Sequence, residues 1–369
     1  MDFEPTPQQQ LLRQAARSFL AQRCPPERVQ ALALEPRAFA GDLWKAMAAL
    51  GWTGLLIPHD LGGGGGSAQD VMTLVEEMGR VCLPSPFISS SVVATSMLLT
   101  APGSARAPGI LPALALGDRI AVPAILEESG SWHPEAIALR AEPGQRLNGH
   151  KLFVKDAHVA SHLVLVARST AGLGALLLPT ERPGVGVHDM EAMGDEKLFA
   201  VSFDGVEIQP GDWLVAAGRG ADLLVPAASL GALARSAEMV GAAGRILDLC
   251  VEHARVRVQS DRPIGAFQAI QHLCADLLRD VEASRWLVRD AAWRIDAGLD
   301  AAPAVAAAKA FCGEACLRVA RRGHQVMGAI GYCEEHPLHL LHKRILAAGL
   351  DWGDAATHLE TVARSIGLA

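Results

Sequence analysis

The spacing of apolar residues along this chain changes character twice. Between residues 7 and 23, Leu11, Leu12, Ala15, Phe19 and Leu20 recur on one side of a 3.6-residue repeat, which predicts an amphipathic helix ended by Cys24-Pro25-Pro26. Further helical stretches are expected at about 38–50, 68–81 and 89–99, so the first third reads as all-helical. From Ile120 the apolar runs shorten, to 120–126, 136–141, 151–154, 162–167, 174–178, 186–188 and 201–206. Gly, Pro and polar turns punctuate them, as in a compact antiparallel β-domain. From Pro226 the helical repeat resumes through Leu230, Leu233, Ala237, Val240, Gly244, Leu247, Val251 and Ala254. After a break at Ser260-Asp261-Arg262-Pro263 it continues through Phe267, Ile270, Cys274, Leu277, Val281 and Ala291. Helices, then short strands, then long helices make an α+β order, divided as 1–118, 119–222 and 223–369.

Composition narrows the function. Half of the 369 residues are hydrophobic and 20% are charged, which describes a folded chain with a sizeable core. A formal charge of −7 leaves no basic stripe for nucleic acid. The seven cysteines include no C-x-x-C pair, and Cys312 and Cys316, four apart on a helical pattern, read as two buried thiols in a reducing, cytosolic setting. Met1 to Gln22 lacks a basic segment followed by an apolar run, and no apolar run reaches the ~18–20 residues a membrane span needs.

Several stretches suggest chemistry. The five glycines Gly62 to Gly66 are not followed by Gly-Lys-Ser/Thr and read as a turn ahead of a helix rather than a phosphate loop. No G-x-G-x-x-G sits between a strand and a helix, so a dinucleotide would be held by scattered groups. There is no G-x-S-x-G, and His336, His339 and His342 lack the glutamate of H-E-x-x-H; steps of three spread them around a helix, so no metal site is expected. The break between the two longest helices is different. It places Arg257 and Gln259 at an Arg-rich corner, where a guanidinium can face outward to meet a phosphate.

That corner resembles a motif of the acyl-CoA dehydrogenase family, at Arg257, Gln259, Pro263, Ile264, Phe267, Gln268, Gln271, His272, Ala275 and Asp276. Ser260 stands where the family has Phe, and Asp261 where it has Gly. A second similarity runs through Gly51, Trp52, Gly54, Leu55, Ile57, Pro58, Gly62, Gly63, Glu76, Glu77, Gly79 and Arg80, and a third through residues 325–344, so the likeness covers essentially the whole chain. The resemblance implies an N-terminal helical domain, a central antiparallel β-domain and a C-terminal four-helix bundle. It also implies FAD-dependent α,β-dehydrogenation of an acyl-CoA thioester, an oligomer, and electron-transfer flavoprotein as electron acceptor. By the same resemblance Arg257, Gln259, Gln325, Gly328 and Ala329 contact the FAD of a neighbouring subunit.

The family's usual catalytic base is a glutamate, and neither of its two positions holds one here. Counting from Arg344, Trp352 takes the Tyr place of the family turn and Gly353 the Glu place; counting back from Arg257, the other site falls at Gly231. Two carboxylates remain as candidate bases. Asp354 is either the base or the N-cap of the run 355–366, and Glu238 is either the base or a partner of Arg235 or another arginine. On the flavin's own-subunit side, Leu126-Glu127-Glu128 replaces the family's Thr-Glu-Pro, and Phe153-Val154-Lys155 replaces its Trp-x-Thr. Leu126 cannot donate as Thr does, while Lys155 either places a charge beside the flavin or is a solvated strand residue. Without the Phe at 260, an adenine-stacking surface is lost. Trp352 and Glu127 are expected against the substrate. Two readings follow: a homo-oligomeric dehydrogenase with a relocated base, or a half-site subunit that completes a partner chain's FAD site.

Overall fold

Thr6 opens the first helix with a reciprocal cap, its hydroxyl accepting from the Gln9 amide (3.2 Å) while the Gln9 side chain accepts from the Thr6 amide (3.1 Å). In this computed structural model, which describes residues 4–35, 37–101, 107–192 and 196–368, that helix is α1 (Pro7–Arg23). It is followed by α2 (Pro26–Leu34), α3 (Gly41–Ala49) and α4 (Ala68–Arg80). A π-helical stretch, Phe87–Ala94, runs into α5 (Thr95–Leu99), and α6 (Ala107–Ala115) closes the helical third. Residues 1–3, at the start of the segment read as lacking a leader, lie outside the described residues.

The middle of the chain forms two sheets. One has the order β1 (Ala121–Ala124), β3 (His162–Ser169), β4 (Gly172–Pro179), β7 (Trp213–Val215); the other has β2 (Arg146–Lys155), β6 (Leu198–Glu207), β5 (Val185–Asp189). All pairings are antiparallel except β1 on β3, the one departure from the expected topology. The expected strand at 136–141 makes a single bridge, Arg140 to Arg168. Its backbone is satisfied by side chains instead: Glu127 accepts from the amides of Ala138 (2.8 Å) and Leu139 (3.0 Å), and Arg168 donates to the carbonyls of Pro134 and Ile137, both at 2.8 Å.

The remaining helices are α7 (Gly220–Val256), α8 (Gln268–Asp296), α9 (Ala302–Met327), α10 (Leu338–Leu350) and α11 (Ala355–Ser365). Of these, α7 is apolar and long enough to span a bilayer, but 78% of its most apolar window is buried inside the protein, as the axis of the bundle. It buries every residue from Leu230 to Gly244. α4 crosses α7 at backbone distance because two glycines face the contact. A Cβ on Gly241 would overlap the Glu76 carbonyl oxygen, and one on Gly79 would overlap the carbonyl of Glu238.

Helix register fixes what gathers at one end of the bundle. Asp276 meets Arg322 (2.9 Å), Asp280 meets Arg318 (3.2 Å) and the Ser284 hydroxyl meets Cys316 (3.9 Å), so α8 runs antiparallel to α9. The Cys250 sulfur lies 3.8 Å from the Gly323 carbonyl oxygen, which lays the last turns of α7 beside those of α9. The α7–α8 corner and the turn after α9 therefore leave the bundle at the same end. Cys312 and Cys316 are both fully buried, as their spacing suggested.

The α4–α7 crossing gives a direct test. Gly241→Ala should lower the unfolding free energy by about 1–3 kcal/mol through overpacking. Gly349→Ala in α10, where a Cβ meets nothing within 4 Å, should leave stability unchanged or raise it by up to about 1 kcal/mol. Urea unfolding of the two variants beside the parent checks both signs.

Candidate active site

The cleft of interest lies where the β-domain meets the bundle and is open to solvent. Leu83 to Ser89, residues of β1 and the end of β2 line its walls, and α7, α10 and the turn after α10 its floor. Apolar groups, including Met78, Phe87, Ile125, Leu126, Trp132 and Trp352, make most of the surface.

The floor is a charge cluster. The buried guanidinium of Arg235 binds three carboxylates from three parts of the chain: Asp351 (2.6 Å), Glu238 (2.5 Å) and Glu196. Lys155 binds Glu196 and lies 3.2 Å from Asp351, and Arg344 binds the second oxygen of Glu238 at 2.9 Å. Three cations thus face three anions, and only such mutual pairing makes burial of six charges tolerable. Burial alone would raise the Glu196 pKa, but Arg235 and then Lys155 hold it well below the usual carboxylate range. Asp156 differs. Burial raises its pKa, with the Ser89 hydroxyl donating to it at 2.5 Å.

The turn after α10 is set by a buried lysine. Lys309 donates to the carbonyls of Gly349 (2.8 Å) and Gly353 (2.7 Å), and burial pushes its pKa down to about 8. The turn holds Trp352 at φ +59 and Gly353 at φ +95, with the Trp352 carbonyl 2.9 Å from His358 Nε2. The Trp352 indole stacks on Trp132 with centroids 4.1 Å apart, and its other neighbour is Gly231, where a Cβ would come within 2.7 Å of the indole. A Cβ on Gly353 would point at His358 Nε2, 2.9 Å away. Both positions at which the resemblance places a glutamate are therefore glycines whose side-chain space is already filled.

The sequence candidates sort as follows. Glu238 lies in the cleft with both oxygens on guanidiniums, the pairing that its spacing from Arg235 suggested. Asp354 caps α11, accepting from the Thr357 amide (2.9 Å) and hydroxyl (2.7 Å), bonds that hold its pKa down; it is not among the residues lining the cleft. Leu126, Phe153, Lys155 and Trp352 line the cleft, Phe153 at φ +55 in a bulge of β2. Lys155 is an ion-paired part of the floor rather than a solvated strand residue. The expectation that Glu127 faces substrate is corrected: its oxygens accept from Lys151 (2.6 Å) and the Ala138 and Leu139 amides, so it is a strut inside the β-domain. Glu196 and Asp351 escaped sequence reading, and Arg344 served there only as a reference position, since their partners are remote in the chain.

At the far end of the bundle, Val258–Gln259 pairs with Arg262–Pro263 in a two-stranded hairpin. Ser260 and Asp261 form its tip, both left-handed at φ +49 and +61. The side chains of Arg257, Gln259 and Gln325 are exposed and make no hydrogen bond or ion pair among the described residues. Gly328, at φ +64, leads α9 into an exposed turn carrying Ala329.

Comparison with known proteins agrees with this architecture. Residues 6–118 match the acyl-CoA dehydrogenase N-terminal domain model, and residues 218–367 match the C-terminal domain model. The acyl-CoA dehydrogenase IpdE2 of Mycobacterium tuberculosis is 31% identical over 341 residues, covering 92% of this chain and 91% of that protein. Among solved structures, the ChsE4–ChsE5 complex of Mycobacterium tuberculosis matches at TM-score 0.90 and 27% identity, over the full length of both chains. A glutaryl-coenzyme A dehydrogenase bound to glutaryl-CoA matches at TM-score 0.92 and 25% identity, covering 100% of this chain and 98% of that one. The chain belongs to the acyl-CoA dehydrogenase family, flavoprotein oxidoreductases that act on acyl-CoA thioesters.

Proposed function

We propose that the chain takes part in FAD-dependent α,β-dehydrogenation of an acyl-CoA thioester as one subunit of an oligomer, its bundle end closing over the dinucleotide of a neighbouring subunit. The observation that carries this is the unpartnered set at that end: one guanidinium and two carboxamides beside an exposed glycine-bearing turn. Arg257 would meet the pyrophosphate, Gln259 and Gln325 would hydrogen-bond the dinucleotide, and Gly328 and Ala329 would let the backbone approach it. Bound in the cleft, FAD supplies the hydride acceptor for the β-carbon. The residues of this chain then have to hold the thioester and receive the α-proton. Electron-transfer flavoprotein is the electron acceptor in this reading.

The ring-facing half of the cleft fits the flavin less well. Leu126 and Lys155 stand where the family places donors, and the Lys155 ammonium is bound to Glu196 and Asp351. Glu238 has no free oxygen, since each is held by a guanidinium, of Arg235 and of Arg344. These facts favour a second reading, in which this chain completes the FAD site of a different acyl-CoA dehydrogenase chain that brings its own base. Flavin absorbance separates the two readings. Yellow protein from the chain expressed alone supports the self-sufficient enzyme, and colourless protein that acquires flavin only with a co-expressed partner chain supports the half-site subunit.

Two substitutions sharpen the test. Arg257→Ala is expected to lower flavin retained after desalting at least about tenfold in whichever assembly carries it, because a charge-assisted phosphate contact contributes about 1.5–3 kcal/mol. Glu238→Gln should lower stability by about 3 kcal/mol by leaving two buried guanidiniums short of charge. Anaerobic bleaching of the flavin by acyl-CoA then decides the role of Glu238. A loss of about a hundredfold or more in rate makes it the base, and an unchanged rate assigns the base to another residue or to the partner chain.

A further inference from the structure

A histidine pair, with one ring buried and the other half-buried, sits beside the glycine-bearing turn, and nothing in the dehydrogenation chemistry uses it. His324, in the last turn of α9, is 7% exposed. Its Nε2 lies 3.0 Å from Nδ1 of His342 on α10, which joins the two helices by an N–H···N hydrogen bond. On its other side the His324 ring lies against Tyr332, with centroids 4.7 Å apart at 31°. Gly331 is packed on the same ring: a Cβ there would be 3.4 Å from His324 Nδ1 and 3.0 Å from both Leu338 and Met327. The turn 328–332 therefore rests on His324, and His324 is tied down by His342.

The surroundings of this pair are cationic or neutral. From α7 come Arg245 and His253, which face His336; from α9 comes Arg321, which faces His342; from α10 comes His339, which faces His324 and donates from Nε2 to the Glu334 carbonyl oxygen, 3.0 Å away. Among the described residues, the groups that act most strongly on His324, His336 and His342 are histidines, arginines and the Gly331 backbone. Burial pushes all three imidazoles below the ordinary histidine range and these neighbours add to it, while for His324 the backbone of Gly331 acts in the opposite sense.

We propose that His324 and His342 are positioning residues for the turn 328–332: their shared hydrogen bond holds Tyr332 and the Gly328–Ala329 backbone in the conformation that meets the dinucleotide, and a second proton on the pair releases it. The flavin consequence rests on the proposed cross-subunit contact, whereas the latch itself does not. One proton between the two rings sustains an N–H···N bond; a second removes the accepting lone pair and sets two like charges against each other. The pair titrates as a unit, so the transition belongs to both rings. Because the folded-state values are depressed, the stabilisation of the turn is present above the ordinary histidine range and is lost as pH falls through the lowered values.

The sequence supplies its own reporter, since Tyr332 is the only tyrosine in the chain. The assembled protein grown with 3-fluorotyrosine gives one fluorine resonance, which is followed with pH alongside flavin retained on a desalting column. Parent protein should show a resonance transition with its midpoint below about 6.5, and flavin retention should fall at least about threefold across it. His342→Gln keeps a hydrogen-bonding side chain but leaves His324 to titrate alone, and should displace the midpoint from that of the parent. His342→Ala should place the resonance at its acid position already at neutral pH. A resonance that does not move with pH, or one that titrates alike in parent and His342→Gln, overturns the latch. A resonance that titrates as expected while flavin retention stays flat sustains the latch and removes the flavin contact of the turn.

Discussion

The fully buried guanidinium of Arg235 is the contact on which the cleft depends. It stands on α7 and holds Glu196 from the segment before β6, Glu238 from its own helix and Asp351 from the turn after α10. One side chain thereby joins the β-domain, the bundle axis and the last helical connection. Arg344 extends the cluster to the carbonyls of Cys82 and Leu83, at 3.3 and 3.4 Å, and so to the wall between α4 and the π-helical stretch. Such a cluster is stabilising only while complete, because each ion has lost its water and has only its partners in exchange. Glu196, whose pKa is held far below the usual range, contributes stability above the ordinary carboxylate range, which is lost only in strong acid.

The same cluster explains why the cleft floor lacks a free acid. In an active site built for α-proton abstraction, a carboxylate is desolvated without a cationic partner so that its pKa rises toward neutrality. Here the carboxylates of Glu196, Glu238 and Asp351 are all paired. Burial displaces the Asp156 pKa upward, and that carboxylate is bound to Ser89. The space that a relocated glutamate would need is also taken. The Trp352 indole fills the volume beside Gly231, and Lys309 and His358 fix the turn that presents it. Installing an acid at 231 or 353 would therefore require Trp352 or His358 to move, so the absence of the family glutamate is built into the packing around it.

Much of this was legible in the sequence, and the exceptions have physical causes. The long helices were plain because their apolar repeat is enforced by burial on several sides, as along α7. α2 was missed because Cys24-Pro25-Pro26 reads as a stop, whereas Pro26 occupies the first helical position, where a missing N–H costs nothing. The stretch 136–141 has strand-like composition, but Glu127 and Arg168 satisfy its backbone before a ladder can. In the cleft, the Arg235–Glu238 pair was readable at a spacing of three, and the cap role of Asp354 from Gly-Asp ahead of a helical run. Asp351, 116 residues from Arg235, and Glu196, 39 residues away, were not, because no local pattern encodes a contact made by folding.

The two ends of the molecule differ in how their polar groups are used, and that contrast bears on function more than any single motif. In the cleft nearly every charge already has an opposite charge, so a ligand entering there meets apolar walls and a neutral floor. At the far end of the bundle Arg257, Gln259 and Gln325 have no side-chain partner among the described residues, and positive-φ residues at 260, 261 and 328 shape exposed backbone around them. Side chains on a structured corner that satisfy none of their hydrogen-bonding capacity internally are suited to a partner from outside the chain. The acyl-CoA dehydrogenase fold of this chain therefore neutralises its cleft charges among themselves and turns the free hydrogen-bonding capacity of its far end outward.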